Sequence, residues 1–273
     1  MGKAYLRVID TGYNDGFINM AIDEAISIAL SENRVPITLR FYRWNPPTLS
    51  IGYFQKAEKE VDFDGLKKHN IGFVRRPTGG RAVLHDKEIT YSIVLKENYK
   101  NMPDSVTESY RILSMPLLNG LIKMGLSAQM TKPLTKKLEH TTSACFDAPS
   151  SYEIIVNNKK IIGSAQKRFY GVILQHGSIP YELDIDLLFD CLKFENEKKR
   201  AILKKYFEYK ATSIFKELGK TLEWDYMVNI FKQEYSKWFE LEIKDENLTK
   251  YEIDLANKLY KEKYSTDKWN FKY

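Results

Sequence analysis

Arg75-Arg76-Pro77-Thr78-Gly79-Gly80-Arg81-Ala82-Val83-Leu84-His85-Asp86 stands between two strand-like runs, Phe73-Val74-Arg75 and residues 88–95. Adjacent glycines permit a tight reversal and let backbone N–H groups approach a ligand, and three arginines supply forked cations suited to a phosphate or carboxylate. The stretch predicts a turn between strands that holds an anion or a polarised carbonyl. A plain hairpin with surface arginines is the competing reading. It is not a Walker loop, because the Gly-Lys-Ser/Thr ending is absent.

Upstream, residues 4–9 read as a first strand, and Asn14-Asp15 caps a helix in which Ile18, Ala21, Ile22, Ala25, Ile26 and Ala29 recur at helical spacing. Thr38-Leu39-Arg40-Phe41-Tyr42 and Leu49-Ser50-Ile51-Gly52-Tyr53 read as a strand pair interrupted by Pro46-Pro47, and Asp62 caps a short helix to His69. Downstream, a helix over 105–124 puts Ile112, Leu113, Leu117, Leu118, Leu121 and Ile122 on one face. Strands at 152–156, 160–168 and 172–179 follow, turned at Asn157-Asn158 and Tyr170-Gly171. Beyond Asp184 the pattern is helical, at 186–192, 195–207, 222–238 and 250–260. The class predicted is α+β: a mixed, largely antiparallel sheet flanked by helices, with further helices at the C-terminal end. We expect residues 1–273 to form a single catalytic unit, with a core over 33–245 and a C-terminal helix and docked tail over 246–273.

The first residues lack a signal-peptide core, and no run approaches the roughly 20 apolar residues that span a bilayer, so a soluble cytoplasmic protein without membrane contact is expected. Met1-Gly2 does not make a myristoylation signal, since Leu6 occupies the Ser/Thr position. Two cysteines are too few for a disulfide scaffold, and four histidines without a helical His-Glu-x-x-His pair argue no metal site. The net charge of +6 favours acidic partners. Its basic runs Lys136-Lys137, Lys198-Lys199-Arg200 and Lys204-Lys205 accompany no nucleic-acid motif and read as solvated faces.

Three further stretches carry chemistry-bearing residues. Cys145 sits in Ser143-Ala144-Cys145-Phe146-Asp147-Ala148-Pro149-Ser150-Ser151-Tyr152-Glu153, a loop of small and turn-forming residues where a thiol can be exposed enough to react. Cys191, in the apolar run Leu187-Leu188-Phe189-Asp190-Cys191-Leu192, reads as filler. Lys160-Ile161-Ile162-Gly163-Ser164-Ala165-Gln166 carries small residues along a strand, leaving room for an extended acyl chain. Gln175-His176-Gly177-Ser178-Ile179 pairs a histidine with a glycine, and taken alone that histidine reads as structural.

Together these stretches resemble the family of biotin protein ligases, lipoate protein ligases and octanoyltransferases. The first is similar to the family's Arg-Arg-x-x-Gly-Gly-x-x-Val-x-His-Asp motif, matching at Arg75, Arg76, Gly79, Gly80, Val83, His85 and Asp86. Lys160-Ile161-Ile162-Gly163-Ser164-Ala165 is similar to Lys-x-x-Gly-Ser-Ala, and His176-Gly177 to the His-Gly that follows. Arg40-Phe41-Tyr42, Pro47-Thr48-Leu49-Ser50-Ile51-Gly52, Lys263-Tyr264 and Trp269-Asn270 extend the resemblance over nearly the whole chain. Within the family, Ala144-Cys145-Phe146-Asp147-Ala148-Pro149-Ser150 looks most like the octanoyltransferases with a catalytic cysteine here, and Arg81, where many ligases have a third glycine, agrees.

The resemblance implies the family's α+β fold and an acyltransferase that takes octanoyl from octanoyl acyl carrier protein to a lysine of a lipoyl-domain protein, the glycine-cleavage H protein or another, in lipoate biosynthesis. It implies Cys145 as the acyl-thioester nucleophile, with Lys160 beside it lowering the thiol pKa. It implies substrate binding by Arg75, Arg76, Thr78, Gly79, Gly80, Arg81, His85, Gly163, Ser164, Ala165, His176 and Gly177. No cofactor, no metal, no nucleic acid and a monomeric state are expected. An ATP-dependent lipoate or octanoate ligase, and a transferase moving octanoyl between lipoyl domains, are the alternatives.

Overall fold

The Asp15 carboxylate accepts hydrogen bonds from the N–H groups of Phe17 and Ile18, at 2.8 and 2.9 Å, and so starts the first helix where the sequence predicts it. The computed structural model describes residues 4–131 and 152–273. The first stretch runs β1 (Tyr5–Asn14), α1 (Gly16–Ser31), β2 (Thr38–Trp44), β3 (Thr48–Ile51), α2 (Ala57–Glu60), α3 (Phe63–Lys68), β4 (Gly72–Arg75), β5 (Val83–His85), β6 (Glu88–Lys96), α4 (Val106–Lys123) and β7 (Ala128–Met130). The second runs β8 (Ile154–Val156), β9 (Lys159–Lys160), β10 (Gly163–Phe169), β11 (Val172–Pro180), α5 (Ile185–Asp190), α6 (Glu197–Lys210), α7 (Ile214–Leu218), α8 (Trp224–Phe239), β12 (Glu242–Asp245), α9 (Lys250–Leu259) and α10 (Asp267–Asn270). Among these, no helix is long and apolar enough to cross a membrane.

Six strands form the main sheet in the order β10-β11-β6-β2-β1-β12, antiparallel from β10 to β2 and parallel from β2 to β12. Strand β6 shows why both faces must be covered. Its Ile89, Tyr91, Ile93 and Leu95 join the apolar cluster that Leu113, Leu117 and Leu121 of α4 share with Phe231 and Tyr235 of α8. Alternation sends Val94 to the opposite face, into a cluster with Ala21, Ala25 and Ala29 of α1. Helix α1 is itself covered by α9, so its buried side includes Asn19, Asp23, Glu24 and Ser27 as well as apolar residues. Two three-stranded sheets complete the body, β4-β3-β5 and β7-β8-β9.

The class is as expected, but four local expectations are corrected. β2 and β3 are not a pair: β2 lies in the main sheet, and β3 lies parallel to β4 and antiparallel to β5. The strand expected over 160–168 is broken: Lys159–Lys160 pairs with β8 and Gly163–Phe169 with β11, so the chain passes from one sheet to another through the buried Ile161 and Ile162. Ile122, expected on the core face of α4, is 50% exposed beside a fully buried Leu121. Burial of such a side chain is worth about 1.5–3 kcal/mol, and that gain falls to Leu121. Strand β12 went unread because Glu242-Ile243-Lys244-Asp245 has little apolar signal.

The last residues return to the site. Arg7 and Glu252 form a fully buried ion pair that joins β1 to α9. Lys263 bonds Glu24 at 2.6 Å, and the Asn270 carbonyl side chain accepts the Arg75 N–H at 2.8 Å.

Candidate active site

Arg75 ends β4 and turns inward, fully buried. Its Nη1 donates to the carbonyl oxygens of Gly52, Tyr53 and Gln55 at 3.0, 2.9 and 2.7 Å, and its Nε and Nη2 donate to Trp269 and Asn270. A guanidinium so engaged holds the 52–55 loop and the 269–270 segment together. Arg76 does similar work one residue on. Its Nη2 donates to the carbonyl oxygens of Gly79 and Arg81 at 2.9 and 2.6 Å, and its Nη1 to Ser50 Oγ at 3.1 Å. The arginines thus shape the glycine loop from within, while Arg81 is half-buried beside it.

Gly80 has φ +92°, and a Cβ there would fall 2.7 Å from Arg76 Nη2. The loop rests on Gly52, whose Cβ would lie 2.0 Å from the Gly80 carbonyl oxygen. Gly177 is required for another reason: a Cβ would stand 2.5 Å from Ser164 Oγ on the neighbouring strand. That Ser164 hydroxyl lies 2.8 Å from Tyr91 OH, which also accepts Gln175 Nε2 at 3.1 Å.

Behind the loop stand two buried histidines, each held at both ring nitrogens. His85 Nδ1 lies 2.7 Å from Glu88 Oε1, and its Nε2 lies 2.7 Å from Ser50 Oγ. His176 Nδ1 lies 3.1 Å from Asp23 Oδ2, and its Nε2 lies 2.7 Å from Thr78 Oγ1. A carboxylate at Nδ1 fixes the proton there, so each hydroxyl is placed to donate to Nε2. Burial lowers the His176 pKa, with Arg76 and His85 adding to the effect against the opposing pull of Asp23. The imidazole is therefore neutral at neutral pH. Burial by itself would raise the Asp23 carboxyl, but Arg40, His176 and Ser92 together outweigh it and hold the pKa below the ordinary value.

Two cavities meet at Ser164 and Ala165. The inner one, about 30 Å³, is lined by Trp44, Ser50, Arg76, His85, Gly163, His176 and Gly177 among others. The outer cleft, about 280 Å³, is bounded by Gly79, Gly80, Val106, Thr107, Tyr110 and Gln166. An inner space that small is of the order of one water molecule. The outer cleft can hold an acyl chain.

Nine predicted residues line one cavity or both: Arg76, Gly79, Gly80, His85, Gly163, Ser164, Ala165, His176 and Gly177. Lys160 lines neither. Its ammonium lies 2.9 Å from Glu153 Oε1, both groups largely buried, and its carbonyl accepts the Thr212 N–H at 3.0 Å. Cys145 lies outside the described residues. Thr131 and Glu153, on either side of that stretch, are bonded to one another, N–H to carbonyl at 2.8 Å and N–H to Oγ1 at 2.9 Å. Cys191 is buried and its thiol is pushed up to about 12 by burial, as befits filler.

Sequence reasoning missed Asp23, Glu88 and Glu153 as partners. Asp23-Glu24 inside the apolar stripe of α1 was a usable signal, because buried carboxylates require donors. Glu88, opening an otherwise apolar strand three residues after His85, was another.

This chain belongs to the lipoyl protein ligase A/B catalytic domain family, which matches residues 15–236. It is an acyltransferase of the octanoyltransferase kind: it is 47% identical to octanoyltransferase LipM of Geobacillus kaustophilus and 43% identical to octanoyltransferase LipM of Bacillus subtilis, over 100% of each chain in both cases. A chain of the bi-partite lipoate protein ligase and E2 lipoyl domain system of Thermoplasma acidophilum superposes with a TM-score of 0.80 at 27% identity, covering 99% of this chain and 97% of that one. Lipoate-protein ligase A bound with ATP superposes at 0.78 and 28% identity, covering 99% of each.

Proposed function

We propose that the protein transfers an octanoyl group from octanoyl acyl carrier protein to a lysine of a lipoyl-domain protein, such as the glycine-cleavage H protein, through a thioester at Cys145. What carries the reading is the match over the full length of both chains to enzymes named octanoyltransferases. A cleft of acyl-chain size beside the glycine loop supports it.

In the first half-reaction the Cys145 thiolate attacks the donor's thioester carbonyl. The oxyanion that forms is met by N–H groups of the Gly79-Gly80 loop, and its collapse expels the carrier's thiolate and leaves an acyl-enzyme. In the second, the neutral amine of the acceptor lysine attacks that thioester, the Cys145 thiolate leaves, and the amine's proton passes to solvent or to the departing sulfur. An amide replaces a thioester, so the exchange is downhill without ATP. The alkyl chain lies along Val106, Tyr110 and Ala165 in the outer cleft. Lys160, held by Glu153, supplies positive charge that favours the thiolate. Because the pair is formally neutral, that influence is short-ranged and depends on which of the two groups faces the sulfur.

Intact-protein mass after incubation with octanoyl acyl carrier protein, without ATP, tests this directly. A hydroxylamine-labile octanoyl adduct on the native chain and none on Cys145→Ala is the expected result. Attachment only when ATP and free octanoate are supplied, surviving loss of Cys145, would instead establish a ligase like the ATP-bound structural relative.

A further inference from the structure

Outside the Gly79-Gly80 loop the surface changes character. Tyr53, whose N–H bonds the Thr78 carbonyl at 2.8 Å, carries the Lys272 ammonium 3.1 Å from its ring centroid and that of Lys167 at 5.0 Å. Phe54, 74% exposed, stands against Tyr53 with centroids 4.8 Å apart. Tyr273, 48% exposed, closes the group 6.1 Å from Phe54. Lys167, one residue after Gln166 on β10, faces the other side of the strand, and the shelf reaches the rim of the outer cleft through Tyr53, which bonds Thr78 next to the cleft-lining Gly79 and Gly80.

Two features need explanation. Clustered exposed aromatics are costly on a free surface and mark contact sites. The cations beside them rest on ring faces, and Glu24, the carboxylate whose charge acts on Lys167, already receives Lys263 at 2.6 Å and the Tyr264 hydroxyl at 2.5 Å. Burial lowers the Lys167 pKa, and the neighbouring Lys263 and Lys272 add to the effect, which records how closely like charges are crowded. Such a surface gains most from a partner that brings negative charge and an apolar contact for Phe54.

We propose that this shelf is the docking face for the acyl donor, an acidic carrier domain that presents its acyl group on a thiol arm joined through a phosphodiester. The proposal rests on the thioester-transfer reading above. The position favours the donor over the acceptor. An acceptor lysine reaches only the length of its own side chain, so its domain must cover the cleft mouth. A donor whose acyl group rides on a much longer arm sits to one side, where the shelf lies. Lys167 and Lys272 then meet the phosphodiester and the carrier's carboxylates, and Phe54 packs on the carrier surface.

The test compares two donors, octanoyl acyl carrier protein and octanoyl-N-acetylcysteamine, on the native chain and on Lys167→Glu/Lys272→Glu. Thioester formation is followed by intact mass. The double variant should lose about tenfold or more in kcat/KM with the carrier-bound donor, a loss that shrinks at high salt, and stay within about twofold with the short thioester. Retained use of the short thioester doubles as the control for folding. Equal losses on both donors, or none on the carrier, overturn the proposal. So does a variant that is acylated normally by the carrier but fails to pass octanoyl to a lipoyl domain, which would assign the shelf to the acceptor. A native chain that takes octanoate only with ATP fails the transfer reading itself, and this proposal with it.

Discussion

The two histidine relays behind the glycine loop are built alike and balanced differently. Ser50–His85–Glu88 and Thr78–His176–Asp23 each run hydroxyl, imidazole, carboxylate, and each carboxylate is buried. Asp23 faces a full cation, Arg40, at 2.7 Å, and also accepts from Ser92, Tyr42 and His176. Among the described residues Glu88 is paired with no lysine or arginine; it accepts from His85 and from the hydroxyls of Thr90 and Ser178. One relay is an ion pair with attachments, the other a hydrogen-bond chain. Buried ion pairs and buried hydrogen-bond chains fail by different amounts when one member is removed. Asp23→Asn leaves Arg40 as a buried cation without its counter-charge and should cost about 3–5 kcal/mol. Glu88→Gln leaves hydroxyls that can reverse their donors and should cost about 1–3 kcal/mol. Urea unfolding of both variants reads the contrast, and equal losses would erase it.

The pH response sharpens the same distinction. His176 has a folded pKa below its ordinary value, chiefly from burial, so above that ordinary value its neutral form costs nothing to fold. As pH falls through about 6.5 the unfolded chain gains a proton that the folded site resists, and stability declines until the folded pKa is passed. Asp23 adds a loss of the same sign at lower pH, since its folded pKa also lies below the ordinary one. Stability measured between about pH 7 and 5 should therefore fall in the native chain and fall less in His176→Gln. A slope unchanged by that substitution would mean that the acid response comes from elsewhere.

Much of this arrangement was legible in the chain, and the boundary between legible and illegible is physical. Local signals read well: Asp15 as a cap, the Gly79-Gly80 reversal, the strand over 88–95 and the turns at Asn157-Asn158 and Tyr170-Gly171 all depend on neighbours in sequence. Long-range partners did not. Arg75 was legible as a forked donor, but the carbonyls it meets were not, because they come from residues 52–55 and 269–270. Likewise nothing local told that β3 leaves β2 for another sheet, or that Glu153 stands opposite Lys160. Motif order carried more of the site than any residue's chemistry alone, since it summarises contacts that a single window does not contain.

The hydroxyl ends of the two relays offer the smallest and most discriminating contrast. Ser50 Oγ is bonded on two sides, donating to His85 Nε2 and accepting from Arg76 Nη1. Thr78 Oγ1 serves His176. Thr78→Val removes one donor and keeps the side chain's shape, leaving a neutral imidazole nitrogen short of a bond, for a cost of about 1 kcal/mol. Ser50→Ala removes a partner from both an imidazole and a guanidinium, and the guanidinium is the group that holds the Gly79 and Arg81 carbonyls. Its stability cost should be similar or only slightly larger, because Arg76 keeps those carbonyls. Its effect on transfer should be the larger of the two, since any shift of Arg76 moves the Gly79-Gly80 loop that bounds the outer cleft. Melting temperature and octanoyl transfer measured side by side separate these effects. Two variants that melt together and also transfer together would show that Arg76 holds the loop without help from Ser50.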